Sequence, residues 1–421
     1  MNPAPPQTSR RGDVRLHREG FEIRTRWGAA NMPTLARLAA ALVATLSLSA
    51  IEARAAEPVK IGIVMSYSGW FQPIDASTIN GAMLAIKDIN AKGGVLGSQI
   101  EVEKFDNKSE PPLGADGALD VINKGAKAIL FPSDFDFGAP GAFVAQQNNV
   151  ISLSAASDPK FGVKGIGPFA YSISNASQAQ GAMLADWAFH EKGWKKAYIL
   201  LDNTIAYTKS LCGSFGKRWK QLGGDAQLLG DDTFLNGDAS IASQASRINA
   251  LAAKPDVIML CSYAPGGPSA IRQLRAAGLN QPIVTGESMD GDYWAGAVPG
   301  LSNFYALNYG SFYGDDPDPE VKDFFARYEK EYGQRSDASY SLRGYSEIQA
   351  WAKAAEKAKS FDAEKIAAAL DTFHNEKLVI GPTTYTPDLH IEISRPMTLV
   401  QSQNGKFSFV TKISAKDFHL D

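Results

Sequence analysis

From Ile61 to Met65 the chain is apolar apart from one glycine, the pattern of a strand covered on both faces of a parallel sheet, and Ser66 to Gly69 interrupt it with turn chemistry. The period then changes. Ile79, Ala82, Met83, Ile86 and Ile89 recur at helical spacing, Ser77 or Thr78 can cap the start of that helix, and Gly93 and Gly94 can end it. Strand, open loop, helix and glycine stop make one βα unit.

The alternation repeats. Gln99 to Phe105 predicts a strand, Leu113 to Lys124 a helix, Ala128 to Phe131 a strand, Gly138 to Asn148 a helix of small residues and Val150 to Leu153 another strand. Strands that alternate with helices predict a parallel sheet covered on both faces, so this first lobe reads as doubly wound. A second series follows Tyr171: a helix over Gln178 to Lys192, strands at Ala197 to Leu201, Ala226 to Leu229, Val257 to Leu260 and Ile283 to Thr285, and helices at Tyr207 to Leu222, around Ile241 and Ile248, and around Ile271 and Leu274. It predicts a second sheet of the same kind. From Phe304 the pattern gives a strand, helices at Glu320 to Glu331, Ser339 to Lys357 and Ala363 to Leu370, and final strands at Met397 to Val400 and Lys406 to Val410.

The apolar run Leu35 to Ala50 is too short for a membrane span and suits the core of an export signal, with Ala53 and Ala55 as the small residues before cleavage. Cleavage is expected after Ala55, and no cysteine nearby could carry a lipid. Met32 would make a conventional start for this signal. The alternative, twin-arginine export through Arg10 and Arg11, suffers from a pair placed too far ahead of the apolar run. Removing residues 1–55, with eight Arg and four acidic residues, leaves 34 basic and 41 acidic residues and a net charge of −7, which speaks against a nucleic-acid partner. Cys212 and Cys261 are the only cysteines; export permits a disulfide between them, and two packed thiols are the plainer alternative.

The run NGAMLAIKDINAKGGVLG, Asn80 to Gly97, resembles the first βα unit of the periplasmic solute-binding proteins of ABC transporters, of the branched-chain amino-acid (Leu/Ile/Val-binding) type. The resemblance implies an α/β, periplasmic-binding-protein-like type I fold, with two doubly wound parallel-sheet lobes joined by a three-strand hinge near Phe169–Ser177, Asn303–Tyr309 and Gly381–His390. Residues 56–174 and 306–384 would then form one lobe, and 175–305 and 385–421 the other, after an N-terminal extension and signal over 1–55. It further implies a periplasmic protein, monomeric, without cofactor or metal, that binds a small organic molecule (an amino acid, amide or aromatic acid) and delivers it to an ABC permease in the inner membrane. A sensor domain for a membrane receptor is one alternative and an exported α/β hydrolase another.

Ligands of such sheets lie beyond the carboxyl ends of the strands. Ser157, with Ala155 and Ala156, matches the family's small-residue turn that holds the ligand's polar head; an ordinary SAASDP turn is the structural alternative. Asp134 stands where amino-acid binders place a small hydroxyl residue against the ligand carboxylate, and a carboxylate there would repel another; Ser133, which opens the same post-strand loop, is a further candidate contact. Either Asp134 accepts hydrogen bonds from a ligand, or the alignment slips and Phe135 lines the pocket, or Asp134 is a solvated loop residue or helix cap. Ile74 and Asp75 replace an aromatic–glycine pair of the family, and Trp70, Phe71, Phe135 and Phe137 can supply an aromatic wall or simply pack under their loops. Tyr207 and Tyr340 match aromatic contacts, and Glu287 lies beside the acidic position that meets the ligand's ammonium, or is a solvated carboxylate. Arg343 can pair with an anionic ligand or serve as a surface or structural arginine.

Catalytic chemistry finds little support. There is no GxSxG, GxxxxGK[ST] or HExxH, the five histidines are scattered, and neither cysteine has a CxxC or nearby histidine partner.

Overall fold

The computed structural model describes residues 56–420; the export signal, the expected cleavage after Ala55 and the Arg10–Arg11 pair lie outside them. Strands β1 (Ala56–Met65), β2 (Ser98–Asp106), β3 (Ala126–Leu130), β4 (Ile151–Ser154) and β5 (Ala170–Ser172) form one sheet in the order β2-β1-β3-β4-β5, with every neighbouring pair parallel. Ile61, Ile63, Val64 and Met65 of β1 are fully buried, because α1 (Gln72–Ala91), α2 (Pro111–Asn123) and α3 (Phe135–Gln147) connect the strands and cover the sheet.

The second sheet contains β6 (Lys196–Asp202), β7 (Gln227–Phe234), β8 (Val257–Cys261), β9 (Ile283–Thr285) and β10 (Phe304–Asn308), all parallel to one another. Helix α4 (Ser177–Asp186) leads into this lobe and passes into a π turn over Trp187–Glu191, where a single helix was expected; α5 (Ala206–Leu222), α6 (Ala242–Ala250) and α7 (Gly266–Ala276) follow. After β10 come α8 (Pro319–Tyr332), α9 (Tyr340–Ala358) and α10 (Ala363–Leu370), and α9 lies along α1, so this segment returns to the first lobe. A small hairpin of β11 (Glu376–Leu378) and β12 (Gly381–Thr383), unseen in the sequence pattern, precedes β13 (Met397–Gln403) and β14 (Lys406–Ile413).

The second sheet is not wholly parallel as expected: β13 and β14 add an antiparallel edge, giving the order β14-β13-β10-β9-β8-β6-β7. Only Asn404 and Gly405 join them, both at positive φ, and a two-residue turn of that kind makes an antiparallel hairpin.

Two lobes joined by three crossings result. The first runs through Ile173 to Ala176 and pairs with the third, since Asn175 bridges Glu392 and Arg395 Nη1 donates to the Ile173 carbonyl at 2.7 Å. The segment Asn303–Tyr309, expected as a crossing, is corrected by β10, a buried inner strand; the chain leaves the sheet only from Tyr309.

Helix α1 starts earlier than expected. Pro73 occupies its first turn, where a missing N–H costs nothing, so Ile74 and Asp75 are helical and Ser77 and Thr78 are buried inside the helix rather than at its cap. Two glycines set its distance from α9: a Cβ on Gly81 would stand 1.9 Å from the Ser341 carbonyl oxygen, and one on Gly344 1.8 Å from that of Thr78. Cys212 of α5 and Cys261 at the end of β8 form the disulfide that the sequence left open.

Candidate functional site

The carboxyl ends of both sheets face each other, and between them Phe71, Ile74, Ser133, Asp134, Ile205, Tyr207, Tyr263, Glu287, Ser288, Tyr340 and Arg343 line a cavity of about 40 Å³. Both lobes supply this wall.

Glu287 follows β9, and its carboxylate reaches across to the other lobe. Its Oε1 accepts from Ser157 Oγ at 3.0 Å and its Oε2 from Arg343 Nη1 at 3.1 Å. With 4% of its surface exposed, it is no solvated loop carboxylate. Burial raises its proton affinity, while Arg343, Ser157 and Gln180 pull it down.

Arg343 is 1% exposed, which overturns the surface alternative. Helix α9 carries it beside α1, where its Nη2 donates to Ser133 Oγ at 3.0 Å and to Thr78 Oγ1 at 3.3 Å. Its guanidinium carbon lies 3.7 Å from the centre of the Tyr340 ring, a cation–π contact, and the Tyr340 hydroxyl donates to the Glu287 carbonyl at 2.7 Å. Its Nε has no hydrogen-bond partner.

Asp134 is both cap and wall. Its carboxylate accepts from the Asp136 N–H at 2.9 Å at the start of α3, yet it is 7% exposed and lines the cavity. Burial, helped by the neighbouring charge of Asp136, pushes it up to about 7. Phe135 does not line the cavity; it begins α3 and packs against the core of the first lobe, so the slipped alignment is corrected.

Tyr207 opens α5, donates to Gln180 Oε1 at 2.8 Å and covers the cavity from the second lobe. Gly286 leaves room for it, since a Cβ there would stand 2.3 Å from the Tyr207 hydroxyl and push that side chain aside. Ala155 and Ala156 are fully buried and do not line the cavity, whereas Ser157 reaches it through Glu287. Trp70 is 47% exposed at the mouth, its ring 5.2 Å from Phe71, 5.3 Å from Phe137 and 5.9 Å from Tyr263 of the other lobe.

Around this wall lie further buried acids. Asp290 accepts from Asn308 Nδ2 at 2.7 Å and from Ser339, and burial pushes it up to about 8. Asp75, bound to the Ser66 N–H at 2.9 Å, is pushed up to about 7, and Glu347, whose two oxygens have no partner, to about 8, in both by burial. Sequence reasoning missed Ile205, Tyr263 and Ser288 and left Arg343 undecided. Ile205 and Ser288 lie on loops that follow predicted strands, and Tyr263 had a signal as an aromatic residue just past a strand end.

Two doubly wound lobes that enclose a polar cleft define a type I ligand-binding fold. The chain belongs to the periplasmic binding protein family, which it matches over residues 58–406. Among its relatives is the Leu/Ile/Val-binding protein BraC3 of Rhizobium johnstonii, 26% identical over 378 residues, covering 89% of this chain and 98% of that one. The branched-chain amino-acid binding protein LivJ of Streptococcus pneumoniae, solved with isoleucine, superposes with a TM-score of 0.76 at 22% identity, covering 85% of this chain and 99% of that one. A solute-binding protein of an R. palustris ABC transporter, solved with benzoate, does so with a TM-score of 0.71 at 19% identity, over 86% and 98% of the two chains. The family is one of solute-binding proteins rather than enzymes, and it is extracytoplasmic.

Proposed function

We propose that this protein is the periplasmic solute-binding component of an ABC importer: it takes one small organic molecule between its lobes, closes on it by bending at the three crossings, and presents it to a permease in the inner membrane. One observation carries the reading. Glu287 of one lobe meets Ser157 and Arg343 of the other in a buried polar cleft, so the groups that would hold a solute come together only when the lobes approach. The Leu/Ile/Val-binding name of BraC3 and the isoleucine and benzoate held by the two neighbours support an amino acid, amide or aromatic acid as the class of solute. In this reading the lobes comprise residues 56–174 with 309–384, and 175–308 with 385 onward, the middle boundary falling after Asn308 because β10 belongs to the second sheet.

The ligand wall we propose is Phe71, Ile74, Ser133, Asp134, Ser157, Tyr207, Glu287 and Tyr340, with Trp70 at the mouth. The test is a thermal-shift screen of the chain from Ala56 against those three solute classes, followed by small-angle scattering with any solute that binds. A ligand at about 100 times its dissociation constant stabilises the folded state by about 2.7 kcal/mol, a readily measured rise in melting temperature. We expect such a rise, a smaller radius of gyration and recovery of the solute unmodified. Binding that leaves the scattering curve unchanged would remove hinge closure, and consumption of the solute would remove the transport reading.

A further inference from the structure

We propose that Asp136 is the latch of the closed cleft: a carboxylate of the first lobe that caps helix α5 of the second, and so sets how long a solute is held without changing how it enters. The inference rests on the solute-binding reading above and goes beyond it, since Asp136 lies outside the ligand wall.

The latch begins with a helix that cannot cap itself. Helix α5 starts at Ala206; the residue before it is Ile205, whose side chain has no acceptor, and its first turn holds no acidic residue. The missing acceptor comes from the other lobe. Asp136 Oδ2 accepts from the Ala206 N–H at 3.1 Å, although the two residues are 70 positions apart. Asp136 itself stands in the first turn of α3, whose own N-terminus Asp134 already caps at 2.9 Å.

Two helix N-termini therefore meet at the cleft, α3 from one lobe and α5 from the other, and each carries roughly half a positive charge. Bringing two such ends together opposes closure unless an anion serves both, and the Asp136 carboxylate is in that position. Its bond to α5 exists only while the lobes are together, since in an open cleft water takes the place of each partner. The bond also bears on the wall: Ile205 and Tyr207, on either side of the capped N–H, both line the cavity, and Asp136 does not. Asp136 thus acts through them, as a positioning residue.

The second lobe's half of the contact can be removed without touching a charge. Ala206→Pro deletes the N–H at the first helical position, where proline is favoured, and Ile205 at φ −119° and ψ 162° already has the extended backbone of a residue before proline. It also leaves the Asp136 charge beside Asp134 as it is. Asp136→Asn keeps a capping oxygen and removes the charge, and Asp136→Ala removes both.

The test is stopped-flow measurement of solute association and release, with isoleucine, isoleucinamide and benzoate as first probes and the strongest binder of the wider screen after them. We expect release from Ala206→Pro and Asp136→Ala to be about three to ten times faster than from wild type, with Asp136→Asn between and association unchanged in all three. The double variant Asp136→Ala/Ala206→Pro should release no faster than Asp136→Ala, because both changes remove one contact. Salt should speed release from wild type and leave Asp136→Ala unaffected, since the contact is exposed. An aspartate that serves only its own helix α3 would lower the melting temperature of the solute-free protein and leave release from Ala206→Pro at the wild-type rate; that result would overturn the latch, and the solute-binding reading would stand. Effects that add in the double variant would overturn it too. A wild-type protein that binds neither these probes nor any compound of the wider screen would overturn both.

Discussion

Gly344 sits so close to Thr78 that a Cβ on it would stand 1.8 Å from the Thr78 carbonyl oxygen. The next residue back from Gly344 is Arg343, and the side chain of Thr78 accepts from it at 3.3 Å, so the closest approach of α1 and α9 also fixes the arginine in the cleft. Sequence sets packing here, and packing sets the site.

Gly344→Ala is therefore expected to cost about 1–3 kcal/mol of stability through overpacking, against at most about 1 kcal/mol regained from helix propensity. The backbones must separate, since the atom met is a carbonyl oxygen and not a flexible side chain. Urea titration should show a lower midpoint at unchanged m-value, and the solute found by thermal shift should bind more weakly as Arg343 moves away from Thr78. A variant as stable as wild type would mean that the two helices can slide apart freely.

The buried acids give the protein a pH dependence of definite sign. Asp75 and Asp134 are pushed up to about 7 and Asp290 and Glu347 to about 8, all above the usual carboxylate range of about 4 in an unfolded chain. Between about pH 4 and pH 8 the folded state thus binds more protons than the unfolded one, and stability falls as pH rises through that window. Each group alone contributes a slope on the order of 1 kcal/mol per pH unit where it stays protonated only in the folded state. The melting temperature should rise from pH 8 to pH 6. Glu347→Gln, which mimics the neutral acid, should flatten the slope; an unchanged slope would show that Glu347 is ionised when folded.

The elements were legible in the sequence and their junctions less so. The continuous apolar run Ile61 to Met65 announces a strand covered on both sides, and β1 is one. Ser77 and Thr78 look like caps, but local chemistry cannot reveal that Pro73 opens the helix and that those hydroxyls serve other elements: Ser77 Oγ donates to Asp337 at 2.9 Å. Phe304 to Asn308 has the apolar pattern of an inner strand, and the expected crossing there came from the resemblance and not from the residues. Asp134 and Glu287 could be placed on loops after strands. Arg343 could not be assigned, because its burial depends on Glu287, 56 residues away, and on the close contact of two helices.

The disulfide was open for the same reason. Cys212 and Cys261 are 49 residues apart, on a helix and at a strand end that only the tertiary fold brings together. A cross-link over a loop of that length removes freedom from the unfolded chain worth roughly 2–4 kcal/mol. Reduction, or Cys212→Ser with Cys261→Ser, should lower the melting temperature and leave solute affinity unchanged, since neither sulfur lines the cavity. Loss of affinity on reduction would show that the second lobe needs the link to hold Glu287 and Tyr207 in position.

The mouth of the cleft supplies a prediction about rates. Trp70 is 47% exposed, more than a side chain placed only for packing should be, and its ring spans the lobes to Tyr263 at 5.9 Å. A contact of that kind contributes about 0.5–1.5 kcal/mol and exists only while the lobes are together. Trp70→Ala should therefore speed solute release by up to about tenfold, since about 1.4 kcal/mol corresponds to that factor, while the approach of solute to the open lobes is unaffected. Stopped-flow displacement separates the two rates. An altered association rate with an unchanged release rate would place Trp70 on the entry path and remove it from the set of contacts that keep the cleft shut.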